Sequence, residues 1–475
     1  MMLTPAEARA LIQRSQADPA WWVRTVLHDT PWTHQVRVLE SIRDNRETAV
    51  ASCHGAGKSF IAARAALWFL ATHRPSLVIT TAPTDRQVRG ILWKEIRKAY
   101  AGATPPLGGT LLTQELRFDD DWWAWGFTAP EYDPDRFQGF HEEYILVIVD
   151  EASGVSSAIY DGIDGILSSQ HSRLLLIGNP TDPAGRFAQD FKTPGVSKIR
   201  ISAFDTPNFT QFGITEDDLR DGTWEGKITG PLPCPKLVTP HWAAERYRRW
   251  RPGSVLYTSR VQGDFPAQSK DTLIPLAWIE RAQQKNLPPG QPHRLGVDVA
   301  RYGGDDFVIV DRQGGRVRVY AVYPKCDTME GVGYVVRAMR ETDAESANVD
   351  GDGLGAGVFD RLVEQGVAAM EMRAGFAAED SEQFLNKRAE WWWGLRERFE
   401  QDTIDLDPDD EELASDLAEI RYKVNSRGQI QIESKEDMRK RIGRSPDKGD
   451  AVAMAFGEGE ALPARVRVRS VGRQR

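Results

Sequence analysis

"ASCHGAGKSF", residues 51–60, decides how the first half of this chain is read. The common phosphate-binding loop runs glycine, four variable residues, then Gly-Lys-Ser or Gly-Lys-Thr. Gly57, Lys58 and Ser59 are present, but Ser52 holds the place of the first glycine. Phosphates are held by backbone N–H groups, by a helix N-terminus and by the lysine ammonium. The first glycine supplies a permissive backbone rather than a contact. A nucleotide site is therefore compatible with Ser52. His54, Gly55 and Ala56 would offer donors, Gly57 would allow close approach, Lys58 would reach the β and γ phosphates of ATP, and Ser59 would ligate Mg²⁺.

Working outward, "TAVASC" (48–53) is a strand candidate and "SFIAARAALWFLATH" (59–73) a buried helix. "SLVITTAP" (76–83), "ILVIVDEA" (145–152) and "RLLLIGNP" (173–180) are further strands. Such continuous apolar runs predict strands buried on both faces, hence a parallel α/β sheet. The strand ending in Asp150 and Glu151 has the form of a Walker B segment. Asp150 would hold the Mg²⁺ shell, and Glu151 would orient or deprotonate the attacking water. Gln35, in "TPWTHQ" (30–35), is a candidate reader of the adenine edge; a surface glutamine is the plain alternative. Asn179, in "GNPT" (178–181), is a candidate γ-phosphate sensor; a strand-end turn is the plain alternative.

The whole chain sets bounds. At 475 residues, two or three domains are expected. It is 41% hydrophobic and 27% charged, the balance of a soluble globular protein. Cys53, Cys234 and Cys326 lie far apart, with neither metal-ligand spacing nor a disulfide framework, which fits a reducing compartment. "MMLTPAEARALIQR" reads as a helix start with Thr4 as cap, Pro5 at the first position and Glu7 completing a capping box, not as a signal peptide. No run is long and apolar enough to span a bilayer. The net charge of −9 hides a strongly acidic run, "DTIDLDPDDEE" (402–412), read as a solvated loop and helix start. It also hides an arginine-rich end, "RVRVRSVGRQR" (465–475). That basic tail is a candidate arm for nucleic acid or a partner, able to contribute a salt slope of about −4 to −5.

In the second half, "NLPPGQPHR" (286–294) reads as a connector. "LGVDVARYGGDDFVIVDRQGGRVRVYAVY" (295–323) then reads as three antiparallel strands. Asp298 lies inside the first of them, where an acid is costly unless paired or bound to metal; an edge-facing aspartate is the plain alternative. "ESANVDGDGLGAGVFDRL" (345–362) predicts a fourth strand ending at Asp350, with Asp352 and Asp360 nearby. "SPDKGDAVAMAFG" (445–457) predicts a helix with Asp447 and Asp450 on its first turns. Asp447 as a cap and Asp450 as a dipole partner are the plain readings. Together, acids on two strands and a helix make the pattern of an RNase H-like nuclease, with hard oxygen ligands for Mg²⁺ or Mn²⁺.

On the ordered set "SCHGAGKS", "TTAPTDRQV" (80–88), "RFQGFHEEYILVIVDEA" (136–152), "LLLIGNPT" (174–181), "YTSRVQGDFPAQSKDTLIP" (257–275), "GVDVARYGGDD" (296–306), "VDGDGLGAGVFD" (349–360) and "SPDKGDAVAMAF" (445–456), the chain resembles the large terminase subunits of tailed bacteriophages over roughly residues 20–460. The resemblance implies an ATP-driven motor that moves double-stranded DNA into a procapsid, with a nuclease that cuts concatemers. It implies a homo-oligomeric ring, usually of five, on the portal protein, compatible with a monomer in solution. It also implies a small terminase subunit as partner, the host cytoplasm as location, and no membrane. The expected layout is a P-loop ATPase domain (1–200), a lid or linker (201–285), an RNase H-like nuclease domain (286–460) and the basic tail (461–475). Asp298, Asp350 and Asp450 carry over as nuclease acids, with Asp447, Asp306 and Asp352 as weaker neighbours. The arginine that family motors supply to a neighbour's γ-phosphate has Arg136 as its nearest candidate, because the slot it takes in some relatives is Gln138 here. The alternatives are a helicase or remodelling ATPase whose RNase H-like half only grips DNA, and a portal-docking protein with decayed sites. Intact Lys58, Asp150 and Glu151 argue against the latter.

Overall fold

The computed structural model describes residues 5–128, 140–267, 271–299, 306–324, 326–353 and 355–458. Arg136, Gln138, Thr4 and the basic tail therefore lie outside the described residues. The chain divides into two compact units, Met1–Gln268 and Ser269–Arg475.

The first unit is built on an eight-stranded sheet. Its strands are β1 (Glu47–Ser52), β2 (Ser76–Thr81), β3 (Thr110–Leu111), β4 (Glu115–Asp119), β5 (Trp122–Gly126), β6 (Tyr144–Asp150), β7 (His171–Gly178) and β8 (Ser197–Ile201). The spatial order is β3-β4-β5-β2-β6-β7-β1-β8. From β5 to β8 the pairing is parallel, as the apolar runs predict. The added β3-β4-β5 edge is antiparallel, which makes the whole sheet mixed. β1, β2 and β6 are buried almost throughout, since helices cover both faces. The helix Lys58–Thr72 is buried along most of its length, which is why its sequence lacks a polar face.

The second unit carries β9 (His293–Asp298), β10 (Phe307–Gln313), β11 (Arg316–Tyr323), β12 (Ser346–Asp350) and β13 (Ala369–Met372) in the order β11-β10-β9-β12-β13. β9, β10 and β11 form the expected antiparallel meander, while β12 runs parallel to β9 and β13 parallel to β12. This is a mixed sheet, as the second domain was expected to have. A short hairpin, β14 (Tyr422–Val424) and β15 (Ile430–Ile432), stands apart.

Two expectations about organisation change. The segment 201–285 is divided: its helices up to Val255–Arg260 belong to the first unit, and Leu276–Gln283 belongs to the second. The 286–294 stretch is not a free connector but lies within the second unit. Leu287 N–H donates to Asp405 Oδ2 at 2.8 Å, and Gly290 N–H to the Gln313 carbonyl at 3.3 Å. Asp405 itself, in the acidic run read as solvated, is fully buried and paired with Arg318 at 2.8 Å. Among the described residues, no helix is long and apolar enough to cross a membrane.

Candidate active sites

β1, β7 and β6 are adjacent and parallel, so their C-terminal ends share one edge of the sheet. Ala51 is in register with Gly178, and Ile177 with Asp150. Ligands of open α/β sheets sit beyond such ends, and the phosphate-loop residues gather there. Lys58 Nζ donates to Asn179 Oδ1 at 2.9 Å and lies 3.7 Å from Glu151 Oε1. Ser59 Oγ donates to Asp150 Oδ2 at 2.8 Å. Asn179 Nδ2 donates to the Ser52 carbonyl at 2.7 Å, so this amide joins the loop's first position to its lysine.

Ser52 is fully buried at the end of β1 and does not adopt a left-handed backbone. The position therefore has no need of glycine. Gly57 does: its φ is 81°, and a Cβ would lie 2.7 Å from Gln35 Nε2. Gln35 is neither a surface residue nor free. Its Oε1 accepts Trp32 N–H at 3.2 Å, and its Nε2 donates to the Gly57 carbonyl at 3.3 Å.

Sequence reasoning missed a backbone clasp around the loop. Cys53 N–H donates to Ile201 O and His54 N–H to Arg260 O, both at 2.8 Å. Val238 N–H reaches the Gly55 carbonyl at 2.9 Å. His54, expected to offer a donor, has thus spent its N–H. Its ring stacks on Trp242 at 5.8 Å, and burial, with the charges of Lys58 and Arg260, lowers its pKa to about 4. The one signal for this clasp was Gly263 in "RVQGDF". Its φ is 63°, and a Cβ there would collide with the Ile201 carbonyl and lie 2.8 Å from Cys53 N.

Asp150 is buried, and burial together with the Glu151 charge pushes its carboxyl up to about 6. Glu151 adopts φ 51°, an uncommon conformation for a residue with a side chain. Such strain concentrates at functional positions.

In the second unit, β9 and β12 are parallel neighbours with Val297 opposite Val349. Their terminal residues Asp298 and Asp350 therefore emerge side by side. The helix Asp447–Phe456 lies against β9 at Gly296, where a Cβ would collide with the Ala451 carbonyl. That contact brings Asp450 to the same cavity, of about 370 Å³, lined also by Asp352, Arg388 and Lys435.

Asp298 and Asp450 flank an ammonium that sequence reasoning missed. Lys435 Nζ lies 3.1 and 3.0 Å from the two Asp298 oxygens and 3.2 Å from Asp450 Oδ2. Asp450 Oδ1 accepts Trp392 Nε1–H at 2.8 Å and Arg388 at 3.2 Å. "ESKED" signals a helix start, with Ser434 as cap, but nothing local points Lys435 at acids far along the chain. Burial holds the Asp298 carboxyl well above its ordinary range despite Lys435. Burial also raises Asp350, to about 6, against the Asp352 N–H and Lys435. For Asp450 burial acts upward too, but Arg388, Lys435 and Trp392 outweigh it and keep this carboxylate low.

Asp447, expected as a cap or weak ligand, accepts two hydrogen bonds. Its Oδ2 accepts Asp306 N–H at 2.9 Å, and its Oδ1 accepts Ser445 Oγ–H at 2.6 Å. Asp352 accepts Ala374 N–H at 3.0 Å. Among the described residues, no group of three or more His, Cys, Asp or Glu side chains is arranged as a ready metal cage. The donor set nonetheless suits a hard divalent cation. Asp450 Oδ2 is buried, and its close neighbour is the Lys435 ammonium, which also faces Asp298.

No protein-family model matches the chain. Among solved structures, the nuclease domain of the large terminase subunit gp2 of bacterial virus Sf6 aligns at 22% identity. It covers 41% of this chain and 100% of that one, with a TM-score of 0.37. The large terminase of a thermophilic bacteriophage aligns at 11% identity over 90% of this chain and 99% of its own, with a TM-score of 0.41. That of bacteriophage HK97 aligns at 13% over 94% and 99%, with a TM-score of 0.38. Scores this low carry no argument by themselves. The weight rests on a curated sequence, "Probable terminase, large subunit" of Enterobacteria phage P7, 27% identical over 463 residues and covering 90% of this chain and 88% of that protein. The chain is thus a relative of a phage large terminase subunit along nearly its whole length, and the resemblance drawn from its motifs stands.

Proposed function

We propose that this protein is the motor and nuclease of viral genome packaging. It hydrolyses ATP to move double-stranded DNA into a procapsid and cuts the concatemer with its second unit. The observation that carries this reading is the presence of both constellations, Lys58–Ser59–Asp150–Glu151–Asn179 and Asp298–Asp350–Asp450, in one chain with a terminase relative along 90% of its length.

In the first site, Cys53 and His54 N–H groups are committed. The phosphates therefore fall to the backbone from Gly55 to Ser59 and to Lys58, which exchanges Asn179 for the β and γ oxygens. Ser59 and Asp150, already 2.8 Å apart, would hold Mg²⁺, which supplies charge neutralisation between those phosphates. Glu151 would orient the attacking water and take its proton. Asn179, linked to Lys58 and Ser52, would report phosphate occupancy to the loop. Gln35 would meet the adenine from its seat beside Gly57. Arg136 remains the candidate for the arginine offered to a neighbour in a ring.

In the second site, Asp298, Asp350 and Asp450 would hold Mg²⁺ or Mn²⁺, which would activate water and stabilise the leaving oxygen. Lys435 would be placed to meet the scissile phosphate, while Arg388 and Trp392, donating to Asp450 Oδ1, would hold that carboxylate in position. Portal protein, procapsid, a small terminase subunit and ring assembly follow from the same reading, as does action in the host cytoplasm.

The test is whether purified protein hydrolyses ATP and converts supercoiled plasmid with Mn²⁺, with EDTA stopping conversion. ATP turnover with duplex unwinding and no cleavage would establish the gripping alternative instead.

A further inference from the structure

The helix Asp447–Phe456 carries two of the candidate acids yet lacks a cap of its own. Pro446 precedes it, and no side-chain cap bond is made there. Its first N–H groups are met from another helix. Asp416, on Glu411–Glu419 and 1% exposed, accepts Lys448 N–H at 3.2 Å and Gly449 N–H at 3.4 Å through Oδ2. Its Oδ1 pairs with Arg444, which is also held at 2.8 Å by Ser415 Oγ.

The far end is held just as firmly. Asn348, on β12 two residues before Asp350, donates to the Met454 carbonyl at 2.7 Å and the Gly457 carbonyl at 2.9 Å. Arg312 donates to the Ala455 carbonyl at 2.8 Å. Between these ends, Gly449 admits Trp392 where a Cβ would lie 2.9 Å from its ring. The helix can therefore neither slide nor turn without breaking buried polar contacts, each costly to leave unmade.

We propose that Asp416 is a positioning residue for the acidic site. By capping this helix from its neighbour, with Arg444 as counter-charge, it sets the depth and direction of Asp450 and hence the site's affinity for a divalent cation. An Asn or Ser at position 446 could cap the helix locally. A cap from Asp416 instead ties the helix to the wall of the domain, so Asp450 is aimed at Asp298 rather than merely helical. The inference rests on the proposed nuclease reading.

Mn²⁺ binding to the full-length protein, followed by the electron paramagnetic resonance of free Mn²⁺, tests it, with Asp298→Ala as baseline and nicking against Mn²⁺ concentration in parallel. Outer residues of metal sites are worth about 10–100-fold in affinity. Asp416→Ala should weaken Mn²⁺ binding about tenfold or more, with nicking largely restored at saturating Mn²⁺. Asp416→Asn, which keeps an oxygen for the two N–H groups, should stay within about threefold of the parent. An alanine variant within twofold of the parent overturns the inference. So does an asparagine variant tenfold weaker, which also decides the matter if the alanine variant does not fold. A parent that neither binds Mn²⁺ nor nicks DNA would instead refute the nuclease reading, and the inference with it.

Discussion

In the first unit the key cation, Lys58, sits on the phosphate loop itself. Its partners are one neutral amide at 2.9 Å and one carboxylate at 3.7 Å. In the second unit the key groups are carboxylates from two strands and a helix, closed onto Lys435 from a third region of the chain. The first arrangement leaves a cation ready for an incoming polyanion. The second keeps its acids neutralised until something displaces an ammonium. On the proposed reading, the first site is open to phosphates and the second is closed by its own ammonium.

The strongest way to break that contrast is to remove each key group and read both activities. Lys58→Ala should lower ATP turnover by about 10²–10³-fold or more, as losing a preorganised charge at a reacting phosphate does, and leave Mn²⁺-dependent nicking intact. Asp298→Ala should do the reverse. ATP hydrolysis by the first variant, or undiminished cleavage by the second, removes that residue from its site.

A smaller effect tests that closure. Lys435→Ala leaves Asp298 and Asp450 without their shared counter-charge, so a divalent cation should bind about tenfold more tightly. The cleavage rate should fall if the ammonium goes on to serve the scissile phosphate. Mn²⁺ titrations of binding and nicking separate the two effects. Unchanged affinity would mean the ammonium does not compete.

A separate effect is on stability. Asp150 titrates near 6 in the folded chain against an ordinary 3.8, because of burial and Glu151. Between those values the folded state holds more protons than the unfolded one. Stability of the first unit should therefore fall as pH rises from about 4 to about 6, by up to about 3 kcal/mol, and flatten above. Asp150→Asn should remove the slope, as urea unfolding at several pH values would report.

Much of this was legible in the residues. A phosphate loop is one strand, one turn and one helix, so Gly57, Lys58 and Ser59 announce it locally, and the acids at the end of an apolar strand announce β6. The alternation of strand and glycine turn in 295–323 likewise foretold the meander, and 345–350 a strand ending at Asp350, whereas Asp298, read inside its strand, is its last residue. The antiparallel edge β3-β4-β5 was not read, because its strands are short and only partly buried. The clasp of Ile201, Arg260 and Val238 on the loop was nearly as hidden, since it consists of backbone bonds and leaves only Gly263 as a trace.

From the sequence alone came the chemistry each site is proposed to perform. A lysine and serine after a glycine turn suit phosphate and Mg²⁺, and acids buried in apolar strands suit a divalent cation, because each residue type admits few partners. Only the tertiary structure decided what those groups meet: that Ser52 needs no glycine, that His54 has spent its N–H, that Asp447 accepts the Asp306 N–H, that Lys435 lies against Asp298 and Asp450, and that Asp416 accepts the Lys448 and Gly449 N–H groups. Those outcomes depend on strand register, on helix ends and on close approaches at Gly263, Gly296 and Gly449. Such contacts join residues far apart in the chain, and local pattern carries no information about them.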